Sequence, residues 1–115
     1  MKVAYVLESP HAQNILTNMI IPQMEKEMHG ADVVGMFFIM DNTYFLMEGT
    51  EIAERLKKLS EKTGLILLAC DKCAKERKIE DKLIKEAAIG CFPVCYAALD
   101  SAALDSAGVD HIITI

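Results

Sequence analysis

The stretch Leu65-Ile-Leu-Leu-Ala-Cys70-Asp-Lys-Cys73-Ala-Lys-Glu-Arg77 decides how this chain folds, because a wholly apolar run ends in a thiol and a charged segment begins at once. Five apolar residues after Gly64 predict a short strand buried on both faces, and Cys70 or Asp71 then caps a helix running toward Arg77. Cys70 is therefore expected at a strand-to-helix turn. Helix N-termini present unpaired N–H groups and a partial positive charge, which favour thiolate over thiol. Lys72, Lys75, Arg77 and Lys78 stand against the single acid Glu76 in this segment, although the chain as a whole carries a net charge of −5. The pattern points to a reactive cysteine in a basic setting. A lone cysteine is more often a small buried hydrophobe, but Cys73 supplies a second thiol one helical turn away.

Working outward, Lys2 to Leu7 is an apolar strand stopped by Glu8-Ser9-Pro10. From His11, residues Ile15, Leu16, Met19, Ile20, Met24 and Met28 recur at helical spacing, with Pro22 expected to kink or split the helix and Gly30 to end it. Asp32 to Met40 predicts a second strand too apolar for a wet face. Tyr44-Phe-Leu-Met47 is an apolar insert, either a short helical turn or an interface patch. Thr50 caps a helix that runs to about Thr63, with Gly64 as its stop. Beyond Arg77, a helical piece is expected from Ile79 through Ala88, a fourth strand over Cys91 to Tyr96, a helix over Ala97 to Ala107, and a last strand from Val109 to Ile115.

This alternation predicts a single α/β domain over residues 1–115, a parallel five-stranded sheet between two layers of helices. Chemistry in such sheets gathers beyond the carboxyl ends of the strands. The first turn there, Glu8-Ser-Pro-His-Ala12, has no glycine, which argues against a nucleotide cofactor. The acidic total argues against nucleic acid as a partner. No apolar run has the length of a membrane span, and Met1 leads directly into a strand pattern without a signal-peptide layout, so a cytoplasmic protein is expected. Four cysteines in a reducing compartment suggest redox, sulfur or metal chemistry over structural disulfides. Seven methionines and a 52% apolar composition suggest a surface that packs on another subunit.

The four thiols allow several readings. Cys70 and Cys73 suit a nucleophile with a resolving neighbour, a reversible dithiol, or half of a metal site. Were residues 91 to 95 extended, Cys91 and Cys95 would lie roughly 13 Å apart at about 3.3 Å per residue and would not share one metal. Cys70, Cys73 and Cys95 then remain as a trio able to exchange sulfur or a disulfide, or to hold zinc or an iron–sulfur group with an outside ligand. His11 is the histidine expected near that edge, as base or further ligand. Lys72 and Arg77 are candidate accessory cations for the thiolate or for an acidic carrier. A third reading makes the protein an assembly subunit that docks through Tyr44 to Met47.

The whole chain resembles the DsrE/TusD family of small sulfur-relay proteins, within the DsrE/DsrF/DsrH superfamily. The resemblance rests on Leu67-Leu-Ala-Cys70 followed by Ala74 and Arg77, on Phe37-Phe38, and on the Ala-rich segment, Asp110 and terminal apolar strand. It implies a three-layer α/β fold, assembly into homotrimers or hexamers, and a persulfide on Cys70 taken from one sulfur carrier and given to another. Cys73, Cys91 and Cys95 depart from that pattern. Cys73 stands where a thiol would attack a Cys70 persulfide and release sulfide.

Overall fold

A computed structural model describes residues 1–101 and 109–115. In chain order its elements are β1 (Lys2–Leu7), α1 (Ala12–Ile15), a π-helical turn (Leu16–Ile20), α2 (Ile21–Glu25) and β2 (Asp32–Phe38). They continue with a 3₁₀ helix (Met40–Leu46), α3 (Glu51–Thr63), β3 (Ile66–Cys70), α4 (Asp71–Glu76), β4 (Ala87–Gly90), α5 (Phe92–Ser101) and β5 (His111–Thr114). The strands form one sheet in the order β4-β3-β2-β1-β5, with every pairing parallel.

Alternation along each strand divides the core in two, since successive side chains point to opposite faces. Val3, Tyr5, Leu7, Met36, Phe38, Leu67 and Ala69 pack beneath the first helical segments and α3. Ala4, Val6, Phe37, Leu68 and Cys70 pack with Cys73 and with Cys95 and Leu99 of α5. Phe37 and Phe38 are each fully buried, one on either face, and each contributes about 1.5–3 kcal/mol by leaving water. The expected three-layer arrangement is therefore present.

Local signals account for most boundaries. Thr50 caps α3 by accepting the Ala53 N–H at 3.3 Å, and Gly64 ends that helix in the left-handed region at φ +78°. Glu51 and Glu54 in the first turn and Lys62 in the last suit the helix dipole. At Pro22 the first helical stretch is split into successive segments. The chain widens into the π turn just before it and resumes with the proline in the first turn of α2, where a missing N–H costs little. The helix stops at Glu25, short of Gly30, and Glu27 adopts φ +58°. His29 lies beyond that end: its Nε2 lies 2.8 Å from the Tyr5 hydroxyl, its Nδ1 lies 2.9 Å from Gln23 Oε1, and burial lowers its pKa. Tyr44 to Met47 falls largely within the 3₁₀ helix, where Leu46 is buried and Phe45 meets the edge of Phe38.

The region after α4 corrects the sequence reading. No helix forms over residues 79–88. Turns closed by Ile79 N–H to the Ala74 carbonyl at 3.0 Å and Lys82 N–H to the Ile79 carbonyl at 2.9 Å carry the chain to β4, which lies at Ala87–Gly90 and not at Cys91 to Tyr96. Phe92 to Tyr96 instead opens α5, with Cys91 just before it. Pro93 sits in the helix's first turn, where its lack of a donor is harmless, and the Cys95 N–H reaches the Cys91 carbonyl at 3.0 Å. Residues 102–107 of the expected Ala97 to Ala107 helix lie outside the described residues.

Helix α5 approaches the sheet over Gly35, where an added Cβ would fall 2.6 Å from Leu99 Cδ2. Gly35→Ala should accordingly lower stability by roughly 1–3 kcal/mol, read as a reduced urea midpoint at unchanged slope; an unchanged midpoint would show that Leu99 gives way freely.

Candidate functional site

Strand β3 delivers Cys70 to the carboxyl edge of the sheet, and the chain turns there directly into α4 with Cys70 in extended conformation as the N-cap residue. Cys73 follows in the first turn of α4 and faces the same apolar cluster. Both are 7% exposed. In the sheet Cys70 pairs with Gly90, the last residue of β4, and α5 starts two residues later. That short connection places Cys95 against the same edge: a Cβ at Gly90 would lie 3.3 Å from Cys95 Sγ, and the Cys95 thiol donates weakly to the Ala69 carbonyl at 3.9 Å. Cys70, Cys73 and Cys95 thus share one buried cluster, while Cys91, one turn before Cys95, is exposed. All four are free thiols.

Burial dominates the electrostatics. It pushes the Cys73 thiol up, the adjacent Cys70 thiol adds to the rise, and the Met40 backbone N–H and Arg77 act in the opposite direction without cancelling it. Cys95 is pushed up to about 11, first by burial and then by Cys70, Cys91 and Asp71. Met40, whose N–H acts on Cys73, holds φ +52° as the first residue of the 3₁₀ helix. Nothing in the sequence marks that conformation, although Asp41-Asn42 marks the turn itself.

The accessory residues divide. Arg77 Nε donates to Asp41 Oδ1 at 2.8 Å and its Nη1 to the Cys73 carbonyl at 3.1 Å, so its charge is shared with a carboxylate and it ties α4 to the 3₁₀ helix. Asp41 is therefore an ion-pair partner. Lys72 is exposed, and its backbone N–H donates to Asp71 Oδ1 at 2.6 Å. His11 lines a cleft with Pro10, Gln13, Asn14, Thr17 and Asn18 and is not among the groups acting on Cys73 or Cys95. A larger cleft of about 710 Å³ opens beyond the ends of β1 and β2, with Glu8, Gln13, Met40, Asn42, Tyr44 and Arg77 among its walls.

With the chain helical from Phe92 and the Cys95 N–H bonded to the Cys91 carbonyl, the separation argued for an extended Cys91–Cys95 pair no longer applies. Among the described residues, no three His, Cys, Asp or Glu side chains converge on one point as metal ligands, and none of the described helices is long and apolar enough to cross a membrane.

Raised thiol pKa values set a pH sign. A thiol near 8.5 when unfolded that is held at about 11 in the native state at Cys95 keeps its proton longer in the folded protein. The Cys95 contribution to folding stability should then be fully present below about pH 8.5 and be lost as pH rises toward about 11, as read from urea midpoints; Cys95→Ala should flatten that alkaline fall, and an identical alkaline profile in the variant would contradict the assignment.

Residues 1–109 match the DsrE/DsrF-like family. Among solved structures, the chain is similar to the ychN protein from E. coli, with a TM-score of 0.66 at 19% identity over 99% of this chain and 97% of that one. It is also similar to MTH1491 from Methanobacterium thermoautotrophicum, described as a protein of unknown function, with a TM-score of 0.67 at 11% identity over 99% of this chain and 98% of that one. At such identities these two likenesses show the fold. No curated protein matches the chain.

Proposed function

The chain belongs to the DsrE/DsrF-like family, and from that premise we propose that it is a cytoplasmic sulfur-handling protein in which Cys70 carries a persulfide and Cys73 is the resolving thiol. Family membership supports a sulfur-relay role in general. The observation that carries the specific reading is the adjacency of the Cys70 and Cys73 thiols at the β3–α4 turn.

The chemistry needs no cofactor. Cys70 thiolate attacks the outer sulfur of a donor persulfide, the donor thiolate leaves and takes up the proton, and Cys70–S–SH results. An acceptor thiolate then attacks that outer sulfur and Cys70 leaves. If Cys73 attacks the inner sulfur instead, hydrosulfide departs, a Cys70–Cys73 disulfide forms, and its two electrons have reduced the sulfane sulfur to sulfide. The raised pKa of Cys73 favours the first outcome near neutrality, because a protonated thiol is a poor nucleophile. As pH rises and Cys73 loses its proton, the balance shifts toward sulfide release.

Sulfur-carrier proteins are the partners in this reading. A homo-oligomer, trimer or hexamer, belongs to it as well, supported by the exposure of Ile112 and Ile113 on the edge strand β5.

Incubation with a polysulfide followed by intact-protein mass spectrometry tests the proposal. Wild type should gain one sulfur atom, mapped to Cys70, and Cys70→Ser should gain none. Cys73→Ser should hold its persulfide roughly tenfold longer and release less sulfide, with the difference widening as pH is raised. Equal sulfur loading of Cys70→Ser and wild type would overturn the assignment, as would a stoichiometric metal bound by the four thiols.

A further inference from the structure

The cleft beyond β1 and β2 takes no part in the sulfur transfer described above, yet it is built beside it. Glu8 after β1, Met40, Asn42 and Tyr44 of the 3₁₀ helix, and Arg77 at the end of α4 are among its walls. Its volume of about 710 Å³ lies within the range of roughly 300–1,000 Å³ typical of small-molecule sites. Two of these walls also meet Cys73. Arg77 Nη1 donates to the Cys73 carbonyl at 3.1 Å, and the Met40 N–H acts on the Cys73 thiol.

The polar groups of the cleft are fixed in place and only partly used. Asn42 is 4% exposed, and its Nδ2 donates to the Ser9 carbonyl at 3.2 Å; its Oδ1 points away from that carbonyl and has no hydrogen-bond partner among the described residues. A bound molecule bearing an N–H can satisfy that oxygen. Arg77 gives Nε to Asp41 and Nη1 to Cys73, which leaves its Nη2 without a hydrogen-bond partner among the described residues. The Glu8 carboxylate is exposed and makes no salt bridge among them. Because Asp41 already offsets the Arg77 charge, Glu8 leaves the cleft with an excess of negative charge, which disfavours a purely anionic ligand. A guanidinium edge can still hold a carboxylate. The set therefore suits a small molecule that carries both an ammonium and a carboxylate, with Met40 and Phe45 as apolar cover.

We propose that this cleft binds a low-molecular-weight cysteinyl thiol, its ammonium on Glu8 and Asn42 and its carboxylate on Arg77, and that this thiol reopens the Cys70–Cys73 disulfide by attack at Cys73. The exchange rests on the reading of Cys73 as a resolving thiol. Sulfur carriers address Cys70, and the small thiol addresses its neighbour. The bound thiolate attacks the Cys73 sulfur, a mixed disulfide forms there as the Cys70–Cys73 bond breaks, and Cys70 leaves and takes up the proton that the thiol gave up. A second small thiolate then attacks the sulfur of the first, Cys73 leaves with the second proton, and the symmetrical small-molecule disulfide departs. Two small thiols are oxidised and one protein disulfide is reduced, so atoms and electrons balance.

Two measurements on the full chain test this. Calorimetric titration with S-methyl-L-cysteine and S-methylglutathione, neither of which can exchange, reads the cleft alone. At least one should bind with a dissociation constant of about 1 mM or tighter, and Glu8→Gln, an exposed-site change, should weaken that binding by roughly tenfold. The tighter of the two separates the free amino acid from the peptide as the natural source. Protein oxidised with diamide is then reduced by L-cysteine, glutathione, cysteamine or 3-mercaptopropionate, with rates compared per thiolate. The thiol whose S-methyl form binds should give a rate that saturates with concentration, whereas cysteamine and 3-mercaptopropionate, with one charged group each, should react in simple proportion to concentration and roughly tenfold more slowly. Acid-quenched digests should place the mixed disulfide on Cys73. No binding by either S-methyl ligand, unchanged affinity in Glu8→Gln, or a mixed disulfide confined to Cys70 overturns the proposal. Binding by a protein in which diamide forms no Cys70–Cys73 disulfide sinks the resolving-thiol reading, whereas an empty cleft beside a disulfide that forms normally sinks the cleft assignment alone.

Discussion

The structure depends on β3 being enclosed on all sides. Ile66 to Cys70 lies between β2 and β4, with Leu67 and Ala69 in one apolar cluster and Leu68 and Cys70 in the other. A strand so enclosed has every backbone group committed to its neighbours, and the chain must leave the sheet the moment its apolar run ends. It leaves at Cys70. The abrupt change from strand to helix puts two thiols three residues apart at the sheet's carboxyl edge, and the short step from β4 into α5 brings the other pair to the same place.

Solvent exclusion, more than local charge, sets the character of the Cys73 and Cys95 sulfurs. Four cations close in sequence to Cys70 suggest a stabilised thiolate, but each cation is employed or placed elsewhere. Arg77 is paired with Asp41, and Lys72, Lys75 and Lys78 face water. A carboxylate within hydrogen-bonding distance holds a guanidinium's field locally, and exposed ammonium groups are screened. Against that, placing a thiolate among Phe37, Leu68 and Leu99 forfeits hydration directly. The result is a protonated Cys73 and a strongly protonated Cys95. For sulfur transfer this is a useful condition, because a resolving thiol that is always ionised would discharge any persulfide beside it.

Two single residues carry much of the tertiary fit. Gly35 lets α5 descend onto β2 through Leu99, and Gly90 leaves the space that the Cys95 sulfur occupies. Both lie in strands, where glycine is otherwise a poor choice, and each marks a close approach rather than a turn. Met40 is the complementary case: its backbone enters the left-handed region without a glycine's freedom and so brings a peptide N–H to bear on Cys73.

Burial periodicity and capping residues fixed the parallel sheet, the α3 boundaries at Thr50 and Gly64, and the location of Cys70 at a strand-to-helix turn, since each follows from interactions within a few residues. The segment from Ile79 to Tyr96 resisted the same treatment. Ala87 to Gly90 is weakly apolar and becomes a strand because β3 offers an open edge. Cys91 to Tyr96 is apolar enough for a strand and becomes a helix because Pro93 is harmless in a first turn and Cys95 and Leu99 then meet the sheet together. Sequence alone therefore determined which thiol ends β3 and what kind of sheet holds it. Only the folded chain decided that Cys95 lies within that cluster, that Cys91 faces water and that Arg77 is already paired. Those outcomes depend on contacts between residues distant along the chain, which no local pattern encodes.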